Sequence, residues 1–258
     1  DMEQYGTPDK VVYFENPYTK KLRQFMAGQY REVFSRKNMP QYHLDSVLGK
    51  GRYTIDEYVD HHLSHASSTY FTSPYTESAV VCIDAIGEFD TITIWYARGN
   101  KLEKRYSQVY PHSLGLWYSA MTQRLDLKPQ EDEFILMGMA AWGRGSEELR
   151  QEMRDYFFKE GDDMKLKRNL HRGCLDWDSD FHPDDGTEEW KFDIAHNVQI
   201  ICEEEIQKIF AKLPDLVPET TNVCYSGGVA LNCVANSLVV KDYPNLWILP
   251  NPGDAGSS

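Results

Sequence analysis

Asn222-Val223-Cys224-Tyr225, Ser226-Gly227-Gly228 and Val229-Ala230-Leu231-Asn232 follow one another without interruption. The first run is apolar and β-favouring, the second is a tight glycine turn, and the third opens a helix expected over Val229 to Val240. A helix N-terminus leaves backbone N–H groups unpaired and carries a positive dipole end, which suits an anion or a nucleotide. The two glycines let a ligand approach the backbone closely. A third glycine and a lysine are lacking, so this is neither a G-x-G-x-x-G fingerprint nor a Walker A loop. An ordinary αβ connection is the alternative reading of these residues alone.

The same pattern extends outward. A strand over Leu246-Trp247-Ile248-Leu249 runs into Pro250-Asn251-Pro252-Gly253-Asp254. Upstream, Phe192 to Leu213 reads as a long amphipathic helix, with further helices over Ser113 to Leu127 and Ser146 to Phe158. Ala79-Val80-Val81-Cys82-Ile83-Asp84 is apolar on both parities, the mark of a strand buried on both faces. Gly99-Asn100 joins two strand-like runs in a hairpin. Val11 to Phe14 reads as a strand, and Tyr18 to Phe25 lies in a short helix. Glu160 to Glu189 is a polar, acidic excursion. Strands and helices interleave, so the class is α/β.

The 258 residues carry 27 Lys plus Arg against 40 Asp plus Glu, a net charge of −13. Such a surface repels phosphate backbones, which argues against general nucleic-acid binding but leaves room for a local basic pocket. No apolar run spans a bilayer and the first residues are polar. The five cysteines, Cys82, Cys174, Cys202, Cys224 and Cys233, have no C-x-x-C spacing. They read as reduced thiols, with Cys224 and Cys233 in the core, and so point to a cytoplasmic protein.

Two further stretches carry chemistry. In His61-His62-Leu63-Ser64-His65, the first and last histidines are i and i+4 on a helix expected from a Thr54–Glu57 capping box to Ser73-Pro74. Two imidazoles at that spacing can hold one metal ion, and His62 points elsewhere. Asp84 ends a buried strand, where open α/β sheets place their ligands. Asp84 to Glu88 can also be read as a turn, or as a loop whose N–H groups face a phosphate. With Asp254, the set becomes two histidines and two aspartates, a mixture suited to Fe(II), Mn(II) or Zn(II). The runs Glu131 to Glu133 and Glu203 to Glu205 read as solvated faces, and Trp117 and Trp142 as packing.

Six stretches in this order resemble the nucleotide-binding domain of NodU/CmcH-type carbamoyltransferases, related to domains of HypF and TsaD. They are HHLSHASSTYFTSP (61–74), VVCIDAIGEFDT (80–91), PHSLGLWYSAMT (111–122), EFILMGMAAWG (133–143), SGGVALNCVAN (226–236) and PNPGDAG (250–256). The resemblance implies a sugar kinase/actin-like (ASKHA) fold with two subdomains, 1–77 and 78–258, the first incomplete and the second holding the acidic insertion near 159–190. It implies an ATP-dependent O-carbamoyltransferase, in which carbamoyl-adenylate made from carbamoyl phosphate and ATP (with magnesium) passes its carbamoyl group to an acceptor hydroxyl.

By the same resemblance, His61, His65, Asp84 and Asp254 match metal ligands, with iron first and zinc or manganese as alternatives. Gly227, Gly228 and Asn232 match the adenosine loop, Gly87 and Glu88 the phosphate loop, and Glu133 a pocket acid. The family's lysine two residues after that acid is Ile135 here. The family's N-terminal strand, with its His-Asp pair, and its C-terminal YrdC-like domain have no counterpart in these residues, so the chain resembles an interior fragment, for which activity alone is not implied, or a very reduced relative. No general base is evident, although His112 is a candidate. A sugar-kinase-like ATPase and a non-catalytic nucleotide-binding module are the competing readings.

Overall fold

The computed structural model describes residues 6–161, 163–173 and 181–254. Its centre is a five-stranded sheet in the order β5-β4-β3-β6-β7. The strands are β3 (Glu77–Ile83), β4 (Asp90–Arg98), β5 (Lys101–Val109), β6 (Val223–Ser226) and β7 (Leu246–Ile248). β3, β6 and β7 run parallel, while β4 and β5 form the antiparallel hairpin that Gly99-Asn100 signals. A separate parallel pair joins β1 (Val12–Tyr13) to β2 (Glu57–Tyr58).

The helices are α1 (Pro17–Met26), α2 (Tyr30–Phe34), α3 (Pro40–Leu48), α4 (His61–Thr72) and α5 (Leu114–Arg124). They continue with α6 (Glu133–Met139), α7 (Glu147–Phe157), α8 (Glu188–Phe210) and α9 (Cys233–Asp242). Side-chain caps set several starts. The Ser113, Ser146 and Thr187 hydroxyls accept the N–H groups of Leu116, Leu149 and Trp190. Each is the polar residue that the sequence places before an apolar-periodic run.

β3 explains the layering. Ala79, Val81 and Ile83 pack into the larger core, with Trp117 and Met121 of α5 and Ile201 of α8. Val80 and Cys82 point the other way, onto Ala66 and Tyr70 of α4. Side chains alternate across a strand, so a strand buried on both faces must be apolar throughout. Asp84, next in the even series, leaves β3 on the α4 side. Ser226 at the end of β6 fixes the same layer, because its hydroxyl donates to the His65 carbonyl at 3.2 Å.

Four expectations change in three dimensions. The Thr54–Glu57 capping box does not start α4. Residues 57–58 pair instead with β1, and the Asp60 carboxylate caps the helix by accepting the Leu63 N–H at 3.1 Å. Glu203 and Glu205 are buried, not solvated: Glu205 pairs with Arg154 at 3.0 Å and Lys208 at 2.8 Å, and Glu203 accepts from Gln199. Cys233 is exposed while Cys82, Cys202 and Cys224 are buried, and Cys174 lies outside the described residues. Trp117 is fully buried, whereas Trp142 is 78% exposed. No helix among the described residues is long and apolar enough to cross a membrane.

Two glycines give opposite tests of this packing. Gly227 has φ +93°, and a Cβ there would stand 2.2 Å from the Ile83 carbonyl oxygen. Gly227→Ala is expected to cost at least about 2 kcal/mol of unfolding free energy, from backbone strain plus displacement of β3. Gly138, in α6, has open space where its Cβ would be. Gly138→Ala is expected to stabilise by about 0.5–1 kcal/mol. Urea unfolding midpoints measured side by side check both signs.

Candidate metal centre beside the glycine turn

Three parallel-strand ends and one helix meet at a point. α4 brings His61 and His65 together one turn apart, Asp84 comes off β3, and Asp254 follows the Pro250–Gly253 turn after β7. His61 Nε2 lies 2.9 Å from Asp84 Oδ2 and 3.3 Å from Asp254 Oδ1. His65 Nε2 lies 3.3 Å and 3.0 Å from the same two oxygens. The two Nε2 atoms are 3.1 Å apart, and all four donor atoms lie within 4.8 Å of one another. The histidines and Asp84 are buried, while the Asp254 side chain is 57% exposed and forms the open side.

This donor set fits a divalent ion. Two nitrogens and two carboxylate oxygens converge, and separations near 3 Å are those of neighbouring ligands around an ion with bonds of about 2.0–2.2 Å. Each Nε2 also faces a carboxylate oxygen, so without an ion both rings donate there and set two N–H groups 3.1 Å apart. Burial works to depress His61 and His65, but the hydrogen bonds their rings donate to Asp254 and Asp84 outweigh it and raise both, His61 to about 10. Burial works to raise Asp84 and Asp254, yet the imidazoles hold Asp84 well below the carboxylate range and Asp254 at about 2. The pocket thus favours positive charge at its centre.

Surrounding contacts fix the ligands. Asp84 divides its two oxygens: Oδ2 faces the histidines, while Oδ1 accepts the Ala85 N–H at 2.7 Å and the Gly228 N–H at 3.3 Å. The His/Asp cluster and the glycine turn are therefore joined by one carboxylate, held in orientation by backbone N–H groups. His62 turns away, to Thr93 Oγ1 at 2.9 Å, and burial pushes its pKa down to about 4, so it stays neutral. Phe14 stands beside His61, with ring centroids 5.9 Å apart.

The remaining sequence-selected residues fall in distinct places. Gly87 presses on the histidine helix, since a Cβ there would meet His62 Cδ2 at 3.0 Å and His61 Cδ2 at 3.2 Å. The Glu88 carboxylate accepts N–H groups from Asn16 at 2.6 Å and His61 at 3.1 Å, tying the N-terminal segment to the start of α4. Glu133 accepts from the Ser119 hydroxyl and from the Gln130 N–H at 2.6 Å. Gly228 to Leu231 form a short 3-10 turn, and α9 starts only at Cys233, four residues later than the expected Val229. Asn232 causes this delay: its Oδ1 accepts the Ala235 N–H at 3.0 Å and caps α9. The His112 ring accepts the Leu166 N–H at 3.2 Å, a structural contact to the insertion.

Sequence reading missed Gln199. It sits mid-way along α8, is buried, and exchanges two 3.0 Å hydrogen bonds with Asn232. It also accepts from the Tyr118 hydroxyl at 2.8 Å. Nothing local marks it, because its partners come from α5 and the turn before α9.

The α/β domain sets two helix-borne imidazoles and two carboxylates at the ends of its parallel strands, beside a glycine turn, which is where open α/β sheets place ligands. The chain belongs to the carbamoyltransferase N-terminal family: the family described as "Carbamoyltransferase N-terminus" matches residues 10–258. The uncharacterized protein sll1178 of Synechocystis sp. is 34% identical over 97% of this chain and 46% of its own length. The nodulation protein NolNO of Sinorhizobium fredii is 25% identical over 77% of this chain and 29% of its own. The chain thus spans less than half the length of these relatives. Among solved structures, HypF of T. kodakarensis aligns with TM-score 0.43 and 13% identity, covering 84% of this chain and 36% of that one. An activator of 2-hydroxyisocaproyl-CoA dehydratase from Clostridium difficile, solved with bound ADPNP, aligns with TM-score 0.43 and 12% identity, covering 79% and 65%.

The Gln199–Asn232 pair is directly testable. Asn232→Ala removes a helix cap and is expected to cost about 1–2 kcal/mol. A double-mutant cycle with Gln199→Ala should give a coupling energy of at least about 0.5 kcal/mol, read from denaturant unfolding.

Proposed function

We propose that this chain is the carbamoyl-transfer domain of an ATP-dependent O-carbamoyltransferase with a sugar kinase/actin-like (ASKHA) architecture. The observation that carries the reading is the convergence of His61, His65, Asp84 and Asp254 beside the Gly227-Gly228 turn, in a chain of the carbamoyltransferase family. The division into subdomains 1–77 and 78–258 belongs to the same reading.

The reaction joins an acceptor hydroxyl oxygen to the carbamoyl carbon of carbamoyl-adenylate. The bond from that carbon to the phosphate oxygen breaks, AMP leaves with the electron pair, and the hydroxyl proton passes to the departing phosphate or to water. A divalent ion held by the four ligands, iron first, would supply Lewis acidity toward the carbamoyl or phosphate oxygen. The chain's own residues do the positioning. Asp84 couples the cluster to the Gly228 N–H, so the nucleotide-side backbone and the ligands keep a fixed spacing. Gly227 and Gly228 offer the nucleotide a surface without side chains. Asn232, locked by Gln199, holds the start of α9 behind that surface. Glu88 stays an anchor of α4 through its backbone N–H bonds.

Formation of carbamoyl-adenylate from carbamoyl phosphate and magnesium-ATP is assigned to a YrdC-like domain beyond these residues, and the setting to the cytoplasm. A kinase-like ATPase would instead need a magnesium site built of oxygen ligands. Half of this cluster is imidazole, which favours carbamoyl transfer over that reading.

Elemental analysis of the chain tests the proposal. Wild type should bind close to one equivalent of transition metal, and His61→Ala/His65→Ala should bind almost none. Protons compete with the ion for both imidazoles, and the carboxylates raise His61 to about 10, so metal affinity should weaken progressively as pH drops below about 10. In the full-length protein the double variant should lose carbamoyl transfer and retain adenylate formation. Equal metal content in wild type and variant would overturn the reading.

A further inference from the structure

A cavity of about 250 Å³ lies between the end of α1 and residues 168–173 of the acidic insertion. Tyr110, Arg168, Asn169, His171 and Arg172 line it. None of the four metal-ligand candidates and neither glycine of the turn does. In a chain of net charge −13, this wall is locally cationic.

Behind the wall stands Arg23, only 4% exposed. Its guanidinium carbon lies 5.8 Å from the centroid of the Tyr110 ring. Its Nε and Nη1 are buried and have no hydrogen-bond partner among the described residues. A buried guanidinium is normally paired, because an isolated charge in a poorly solvated place is costly. The nearby carboxylates do not supply that partner: Glu15 takes Lys20 at 2.7 Å and Glu88 takes backbone N–H groups. His171 Nδ1 is likewise buried and without a partner, and burial, with Arg23 and Arg172 nearby, pushes that imidazole down, so it is neutral. Asn169 donates to the Tyr110 hydroxyl, and Arg168 lies 4.4 Å from the Tyr156 ring centroid, which holds its guanidinium in place.

We infer that this cavity is an anion site for the phosphate group of a small molecule, distinct from the metal centre. Arg168 and Arg172 put two cationic side chains on the wall, and Arg23, buried against Tyr110, adds a third positive charge behind it. A carboxylate would leave two of them uncompensated, whereas a phosphate dianion or a pyrophosphate compensates most of the charge and accepts several N–H bonds at once. The volume is below that of a pocket for a whole drug-sized ligand, so it takes a phosphate head and little more. The inference does not depend on the carbamoyl-transfer reading.

Calorimetric titration of the chain with inorganic phosphate and with pyrophosphate tests it. Binding should be saturable, tighter for pyrophosphate, and weaker at higher salt. Arg168→Gln and Arg172→Gln, both on exposed residues, should each weaken it about tenfold or more, a loss of about 1.4 kcal/mol. His61→Ala/His65→Ala should leave it unchanged. Arg23→Met should raise the melting temperature in anion-free buffer, by removing an unpaired buried charge, and should abolish the gain that pyrophosphate gives wild type. No saturable binding, or binding insensitive to the Arg168 and Arg172 changes, overturns the inference. So does binding lost with the histidines, or an Arg23→Met chain that melts lower without anion.

Discussion

The Asp84 carboxylate is the contact through which the site holds together. One oxygen faces two imidazoles and the other is held by backbone N–H groups, one of them from the glycine turn after β6. A carboxylate buried at a strand end is stable only when its charge is met on both sides. Here α4 supplies one side and the β6 turn the other. Moving either element would leave a buried charge facing an apolar layer, so the sheet, the histidine helix and the glycine turn are constrained together.

That constraint accounts for much of the surrounding packing. Ser226 ties the end of β6 to the His65 carbonyl. Gly87 and Gly227 are small because their neighbours, the histidine rings and the Ile83 carbonyl, occupy the space a side chain would need. Glu88 and Asp60 both satisfy N–H groups in the first turn of α4, where negative charge also meets the positive end of the helix dipole. The helix that presents His61 and His65 is thus fixed at its start, along its inner face and at the histidines themselves.

Charge is distributed unevenly over the rest of the molecule. Carboxylates dominate overall, yet Glu205 is drawn inside by Arg154 and Lys208, and a cationic wall forms where α1 meets residues 168–173. The second feature depends on chain segments about 145 residues apart in sequence, a separation that only the folded chain closes.

Local sequence determined the five strands of the central sheet, the Gly99-Asn100 hairpin, most helices and the i, i+4 histidine pair, because alternation, caps and glycine turns are short-range physics. It also marked Asp84 and Asp254 as strand-end carboxylates, through the residues that precede them. Tertiary structure decided where competing local signals gave way. Residues 57–58 pair with β1 despite a capping box, since a strand partner and an Asp60 cap satisfy more backbone groups there. Asn232 caps α9 and delays its start, Glu205 leaves solvent for Arg154 of α7, and Glu203 is buried on α8 against Gln199. Gln199 and Arg23 carry no local mark at all, because what makes them matter is burial beside residues distant in sequence, and burial is a property of the packed chain.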